Sequence, residues 1–172
     1  MLGERPPMST GENVSKAVAC GMAEEVVRAF GKVRLRVFGT SMVPSILPGD
    51  LISIQRADLC EILQGGIVLF SQNGRLFVHR VVSRSSSLGT PCLITRGDRL
   101  CHNDPPVFFS ELLGRVVSVE RGNHQVKSIA PPSGWRRVMG RLLRTSDRAT
   151  YLYLRLATCW RTLFSRRAEC QV

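Results

Sequence analysis

Apolar residues recur every four positions at Val18, Met22, Val26 and Phe30, which predicts a short helix over 15–31 whose apolar stripe packs on the body of the protein. From Lys32 the period falls to two. Val33, Leu35 and Val37 alternate with Arg34 and Arg36, the pattern of a half-buried strand that ends at Gly39. Pro48-Gly49-Asp50 reads as a turn before a second strand, Leu51–Ile54. Gly65-Gly66 opens a third, Ile67–Phe70, and Asn73-Gly74 marks a hairpin that returns along Leu76–Val82. A polar loop is expected over 83–91, a strand over 92–95, and a last hairpin joins 113–119 to 126–129 across Gly122-Asn123. Short strands separated by turn signals predict a mainly β fold, an antiparallel body over 32–130. Residues 1–14 are polar, with Pro and Gly, and read as a disordered lead-in.

At Pro131-Pro132-Ser133-Gly134 the pattern changes again. Beyond it Trp135, Val138, Met139, Leu142 and Leu143 share one helical face, and Leu152, Leu156, Trp160 and Leu163 share another. The expectation is an Arg-rich, amphipathic helical tail over 131–172. Charge sharpens this division. The 172 residues carry 24 Lys+Arg against 13 Asp+Glu, a net +11, and the tail holds nine arginines against Asp147 and Glu169, or +7. The tail is suited to an anionic membrane interface, or to covering the β body or a second subunit. Nucleic acid is disfavoured as its partner, because solvated basic arms seldom need a contiguous apolar face.

Composition excludes several classes. Length limits the chain to one ordinary domain with an extension, and 44% hydrophobic with 22% charged residues is ordinary globular usage. Six cysteines lie scattered, without a Cys-x-x-Cys pair, so no disulfide framework is expected. Cys101, His102 and Asp104 cluster, but no second group completes a tetrahedral set, and neither metal nor cofactor is expected. No stretch reaches the ~18–20 apolar residues that span a bilayer, and the N-terminus lacks the order of a secretory signal. The expected location is peripheral at a membrane or cytoplasmic.

The segment Gly39-Thr40-Ser41-Met42-Val43-Pro44-Ser45-Ile46-Leu47-Pro48-Gly49-Asp50 carries the candidate chemistry. A serine just past a strand end, followed by a proline-fixed turn, can project its hydroxyl and leave backbone N–H groups facing a carbonyl oxygen. Serine needs a base within hydrogen-bond reach. Lysine occurs at 16, 32 and 127 alone, none in a strand expected beside Ser41, which leaves His79, His102 and His124. His79 lies inside a predicted strand, where a histidine is more often a satisfied structural residue. Asp98 and Asp104 follow a strand end in one loop and could orient it, although aspartates there are commonly turn formers, the reading also given to Asp50.

Four motifs in order, Ser41-Met-x-Pro-Ser-Ile-x-Pro-Gly-Asp50, Gly66-Ile-Val-Leu-Phe70, Val78-His-Arg-Val81 and Thr95-Arg-Gly-Asp98 with a further aspartate, closely resemble the signal peptidase I family. The resemblance is narrower to the branch of the endoplasmic reticulum and archaea, which uses histidine as base, and it covers 37–121. It implies the signal-peptidase β architecture and a serine endopeptidase that cuts after small residues. Ser41 matches the nucleophile, His79 the general base, and Asp98 and Asp104 the two acidic positions. Spacing does not decide which aspartate orients His79; Asp104 is preferred, with Asp98 supporting the loop or the serine. The Ser41 N–H is the expected oxyanion donor. Relatives often place a hydroxyl two positions before the nucleophile; here that residue is Gly39, so side-chain help would fall to Thr40. Met42 and the strand after Asp50 are expected to line the substrate groove.

The chain departs from the family in three places. It has Gly65-Gly66 where relatives have Gly-Asp, Arg99-Leu100 where they have asparagines, and no spanning helix is seen before the nucleophile. Two other readings share the motifs. Self-cleaving repressors share the Gly-x-Ser-Met turn and cut at Ala-Gly or Cys-Gly, and Cys20-Gly21 is present, but their base is lysine. A module that binds a peptide or membrane without cutting is the non-enzymatic alternative.

Overall fold

A computed structural model describes residues 10–122, 124 and 125. The expected tail helices, the strand 126–129 and most of the lead-in lie outside the described residues. Helix α1 runs from Thr10 to Phe30. It therefore starts within the segment expected to be disordered: Glu12, Asn13 and Ser15 have no apolar periodicity, but a growing helix does not need one to add further turns. Gly31 ends it with φ +68°, and the Gly31 N–H bonds the Val27 carbonyl at 2.9 Å, a left-handed cap that glycine adopts without a Cβ penalty.

The face on which α1 packs corrects the sequence expectation. Cys20, Ala23 and Val27 are buried, whereas Val18, Met22, Val26 and Phe30 are exposed. Small side chains let the helix approach the sheet closely, so the stripe of larger residues turns outward.

Strands β1 (Lys32–Arg36), β2 (Leu51–Gln55), β3 (Ile67–Gln72), β4 (Arg75–Ser87), β5 (Thr90–Arg96), β6 (Val107–Phe108), β7 (Leu112–Arg121) and β8 (His124–Gln125) form one sheet. Its order is β1-β2-β7-β3-β4-β5-β6, with β8 on β7, and the described pairings are antiparallel. The mainly β body is thus the architecture of the protein. Asn73 and Gly74, at φ +52° and +67°, make the β3–β4 turn that the sequence signalled.

The expected loop 83–91 is instead a second hairpin. β4 continues to Ser87 and pairs with β5 through Ser85↔Cys92 and Ser87↔Thr90, turning at Leu88-Gly89. Arg84, Ser85 and Ser86 are exposed, so this extension shows no apolar alternation, and its ladder needs only backbone groups.

β3 is buried on both faces, which explains its uninterrupted run Ile67-Val68-Leu69-Phe70. Ile67 and Leu69 join a core with Val27, Met42, Ile46, Ile52, Ile54, Leu113, Val116 and Val119. Val68 and Phe70 join another with Ala57, Ile62, Val81, Leu93 and Val107. Gly114 lies where β7 crosses between β2 and β3; a Cβ there would run into the Gln55 carbonyl.

Candidate active site

The chain leaves β1 for a compact excursion, 38–48, before it enters β2. Its neck is closed by Val37 N–H to the Asp50 carbonyl at 2.9 Å and Gly49 N–H to the Val37 carbonyl at 2.7 Å. Met42, Val43, Ile46 and Leu47 are buried, so apolar burial anchors a segment that has no regular structure. Asp50, fully buried, accepts the Leu47 N–H at 2.8 Å and receives Arg121 of β7 through Nε at 2.9 Å and a terminal nitrogen at 2.7 Å. It does form the turn, as expected, and it also ties that turn to β7. On this buried support Ser41 remains partly exposed.

His79 Nε2 is 3.0 Å from the Ser41 hydroxyl oxygen, and His79 Nδ1 is 2.7 Å from Asp104 Oδ2. The imidazole is buried at 3% exposure. Its ring lies 6.0 Å from that of Phe70 and 5.8 Å from that of Phe77, so apolar rings shield the histidine from bulk water. Asp104 also accepts the Thr95 hydroxyl at 2.7 Å, while its own N–H donates to the Thr95 carbonyl at 2.8 Å. Burial pushes the Asp104 carboxyl up, but hydrogen bonds from His79 and Thr95 and the positive ends of His79 and His102 outweigh it, and the net direction is down. An ionised carboxylate can only accept, so Nδ1 donates to Asp104, and in the neutral imidazole Nε2 is then the acceptor that faces the Ser41 hydroxyl.

Asp98 takes a different partner. Arg80 Nε donates to Asp98 Oδ1 at 2.8 Å and a terminal nitrogen donates to Oδ2 at 2.9 Å; Ser45 donates its hydroxyl to the same carboxylate. Arg80 also donates to the Gly65 carbonyl at 2.8 Å. The alternatives left open by spacing are thereby divided: Asp104 meets His79, and Asp98 clamps the turn that bears Ser41. Thr40 accepts a bond from Arg99 at 3.0 Å, and the Arg99 N–H bonds the Ser41 carbonyl at 2.9 Å. Gly97 sits so close that a Cβ would lie 2.8 Å from that carbonyl. Among the described residues nothing accepts a bond from the Ser41 N–H.

A groove of about 510 Å³ opens beside Ser41 and His79. Leu35–Gly39 form one wall, Leu76–Val78 the other, and Met42, Ile52 and Leu69 lie between them. Met42 and Ile52 were expected here; the wall from β4 was not, because alternation along a strand does not say which edge faces a cavity. Arg80, Thr95 and the two phenylalanines were missed for a related reason. Arg80, Thr95 and Phe70 stand within the motifs and Phe77 two residues before His79, but the Arg80–Asp98, Thr95–Asp104 and Phe70–His79 contacts join residues from separate segments of the chain. His102 and the backbone of His124 lie outside the Ser41 contact, and no group of three metal-ligating side chains forms among the described residues.

Comparison with family models and with curated proteins finds no match to this chain.

Proposed function

We propose that the chain is a serine endopeptidase resembling signal peptidase I of the histidine branch, with Ser41 as nucleophile, His79 as general base and Asp104 as the residue that orients it. The observation that carries the reading is the continuous relay from Ser41 to His79 at 3.0 Å and on to Asp104 at 2.7 Å, on the edge of a groove. As the Ser41 oxygen attacks a peptide carbonyl, its proton passes to His79 Nε2, and Asp104 stabilises the imidazolium. The Ser41 N–H supports the oxyanion. Collapse breaks the C–N bond, His79 returns the proton to the leaving amine, and water then clears the acyl group from Ser41 by the same exchange.

The groove supports an extended peptide as substrate. Among the described residues β1 has β2 alone as a neighbour, and β4 pairs with β5 from Arg80 onward, so Arg75–His79 carry a ladder on the β3 side only. A peptide laid between these two segments can pair by strand addition. Small residues before the cut are the preference that the family resemblance implies. Self-cleavage at Cys20-Gly21 is the less favoured reading: Cys20 is buried within α1, and a helical peptide bond cannot enter the groove without unwinding it.

A serine-directed acylating probe tests the reading. Ser41 takes the label in the native chain; Ser41→Ala abolishes it, and His79→Ala slows it by about 10³-fold or more. Labelling that persists in Ser41→Ala, or proceeds equally in His79→Ala, overturns the dyad.

A further inference from the structure

The two strands that wall the groove send successive side chains to opposite sides of it. Val33, Leu35 and Val37 on the β1 wall and Leu76 and Val78 on the β4 wall pack against the same core, which defines the inner side. The residues between them therefore stand on the outer side: Lys32, Arg34 and Arg36 on one wall, and Arg75, Phe77 and His79 on the other. His79 is buried, whereas Lys32, Arg34, Arg36 and Arg75 are exposed, so the outer rim is cationic along both walls.

These cations differ in what they meet. Arg34 donates to Glu120 of β7 at 2.6 Å, so an acid of the protein itself offsets its charge. Arg36, which lines the groove, donates to the Gly49 carbonyl at 3.0 Å, a neutral partner that leaves its charge in place. Among the described residues no carboxylate pairs with Lys32, Arg36 or Arg75. Glu24 and Glu25 belong to α1, which packs on the inner side through Val27. A strand laid into the groove continues the alternation of its walls. Residues that face each other across a ladder place their side chains on the same side of the sheet, so every second residue of the peptide enters the apolar inner side and those between emerge among the cations. Acidic side chains there meet opposite charge, whereas lysine or arginine would meet like charge.

We infer that the peptide held between β1 and β4 carries acidic residues at alternate positions along its outward face, and that Arg36 and Arg75 are the residues that select them. The inference rests on strand addition in the groove, as proposed above, and names the charge pattern of that substrate. It needs binding and not cleavage, so it is separable from the role of Ser41.

Two labelled peptides of about ten residues test it, one with aspartate and one with asparagine at every second position and alanine between, with binding to the full-length Ser41→Ala chain read by fluorescence anisotropy. Each exposed charge pair contributes about 1.5- to 5-fold, so the aspartate peptide should bind about tenfold more tightly through two or three of them. Added salt should shrink that preference. Arg36→Gln/Arg75→Gln in the same chain should reduce it to about threefold or less, and Arg36→Glu/Arg75→Glu should transfer it to a lysine peptide of the same pattern. Equal binding of the aspartate and asparagine peptides, or binding of neither, overturns the inference. So does an aspartate preference undiminished in Arg36→Gln/Arg75→Gln, which assigns the attraction to the C-terminal arginines common to all these proteins. Failure of the acylating probe to label Ser41 in the native chain overturns the catalytic reading alone; an acid preference that follows Arg36 and Arg75 still supports an acidic-peptide groove.

Discussion

Two consecutive residues of β4, His79 and Arg80, leave the strand on opposite faces, and each connects an aspartate of the 97–106 loop to a serine of the 38–48 turn. The parallel ends there. Arg80 is permanently charged and grips Asp98 with two nitrogens, at 2.8 and 2.9 Å, in a fixed fork. His79 holds Asp104 through one nitrogen and keeps the other for Ser41. One arm is a forked clamp, and the other is a relay of single contacts that the proposed mechanism uses for proton transfer. Neither aspartate announces its arm by sequence position.

The comparison breaks most decisively at Asp104. Asp104→Asn should lower acylation of Ser41 by about 10³- to 10⁴-fold, because the amide no longer holds the imidazole in the required tautomer, an effect far larger than its loss of stability accounts for. Rapid labelling of that variant at the native rate would place the functional carboxylate elsewhere.

The opposite balance is expected for the other arm. Arg80→Met removes the forked guanidinium from a carboxylate that is 9% exposed, and unfolding free energy should fall by about 3–5 kcal/mol in urea titration. If stability is retained while acylation is lost, the Arg80 arm is chemical rather than structural.

Gly97→Ala probes the point where the loop meets the turn. The added methyl would lie 2.8 Å from the Ser41 carbonyl and 3.0 Å from a Leu100 side-chain carbon, so the backbone at Ser41 must shift. A stability loss of about 1–3 kcal/mol is expected from such overpacking. Because a displacement near 1 Å can cost about 10²-fold, acylation should slow more than stability suggests.

A pH series separates the arms further. The Asp104 carboxyl is held below its ordinary value in the native state, so its contribution to stability is fully present above the unfolded-state value and is lost as pH falls through the native one. The difference in unfolding free energy between native protein and Asp104→Asn should be constant near neutrality and shrink in acid. A difference that grows in acid would reverse the assigned direction.

The smallest effect is expected for Thr95→Val, which deletes one hydroxyl donor at 2.7 Å from Asp104. A loss of about 1 kcal/mol, with the acid limb of the stability profile moved upward, would show that Thr95 supports the functional arm.

Much of the fold was legible because burial repeats with the backbone. The alternation Val33, Leu35 and the unbroken run Ile67–Phe70 both became strands, one half-buried and one buried on both faces, although the first ends at Arg36 and not at Gly39. Errors arose where that relation fails. Arg84–Ser86 form a ladder with no apolar face, and α1 turned its most regular stripe outward because Cys20, Ala23 and Val27 are small enough for close packing.

Sequence alone determined the residue types, their order and the mainly β body: a serine beside a turn, a strand histidine, two loop aspartates and an excess of arginine. Tertiary structure decided which pairs meet. Asp98 and Asp104 are six positions apart in one loop, yet they end on opposite faces of β4, because that strand directs His79 and Arg80 to opposite sides and the loop wraps its end. Periodicity encodes which residues are buried; contacts between distant segments depend on how the sheet curls, and no local pattern carries that information.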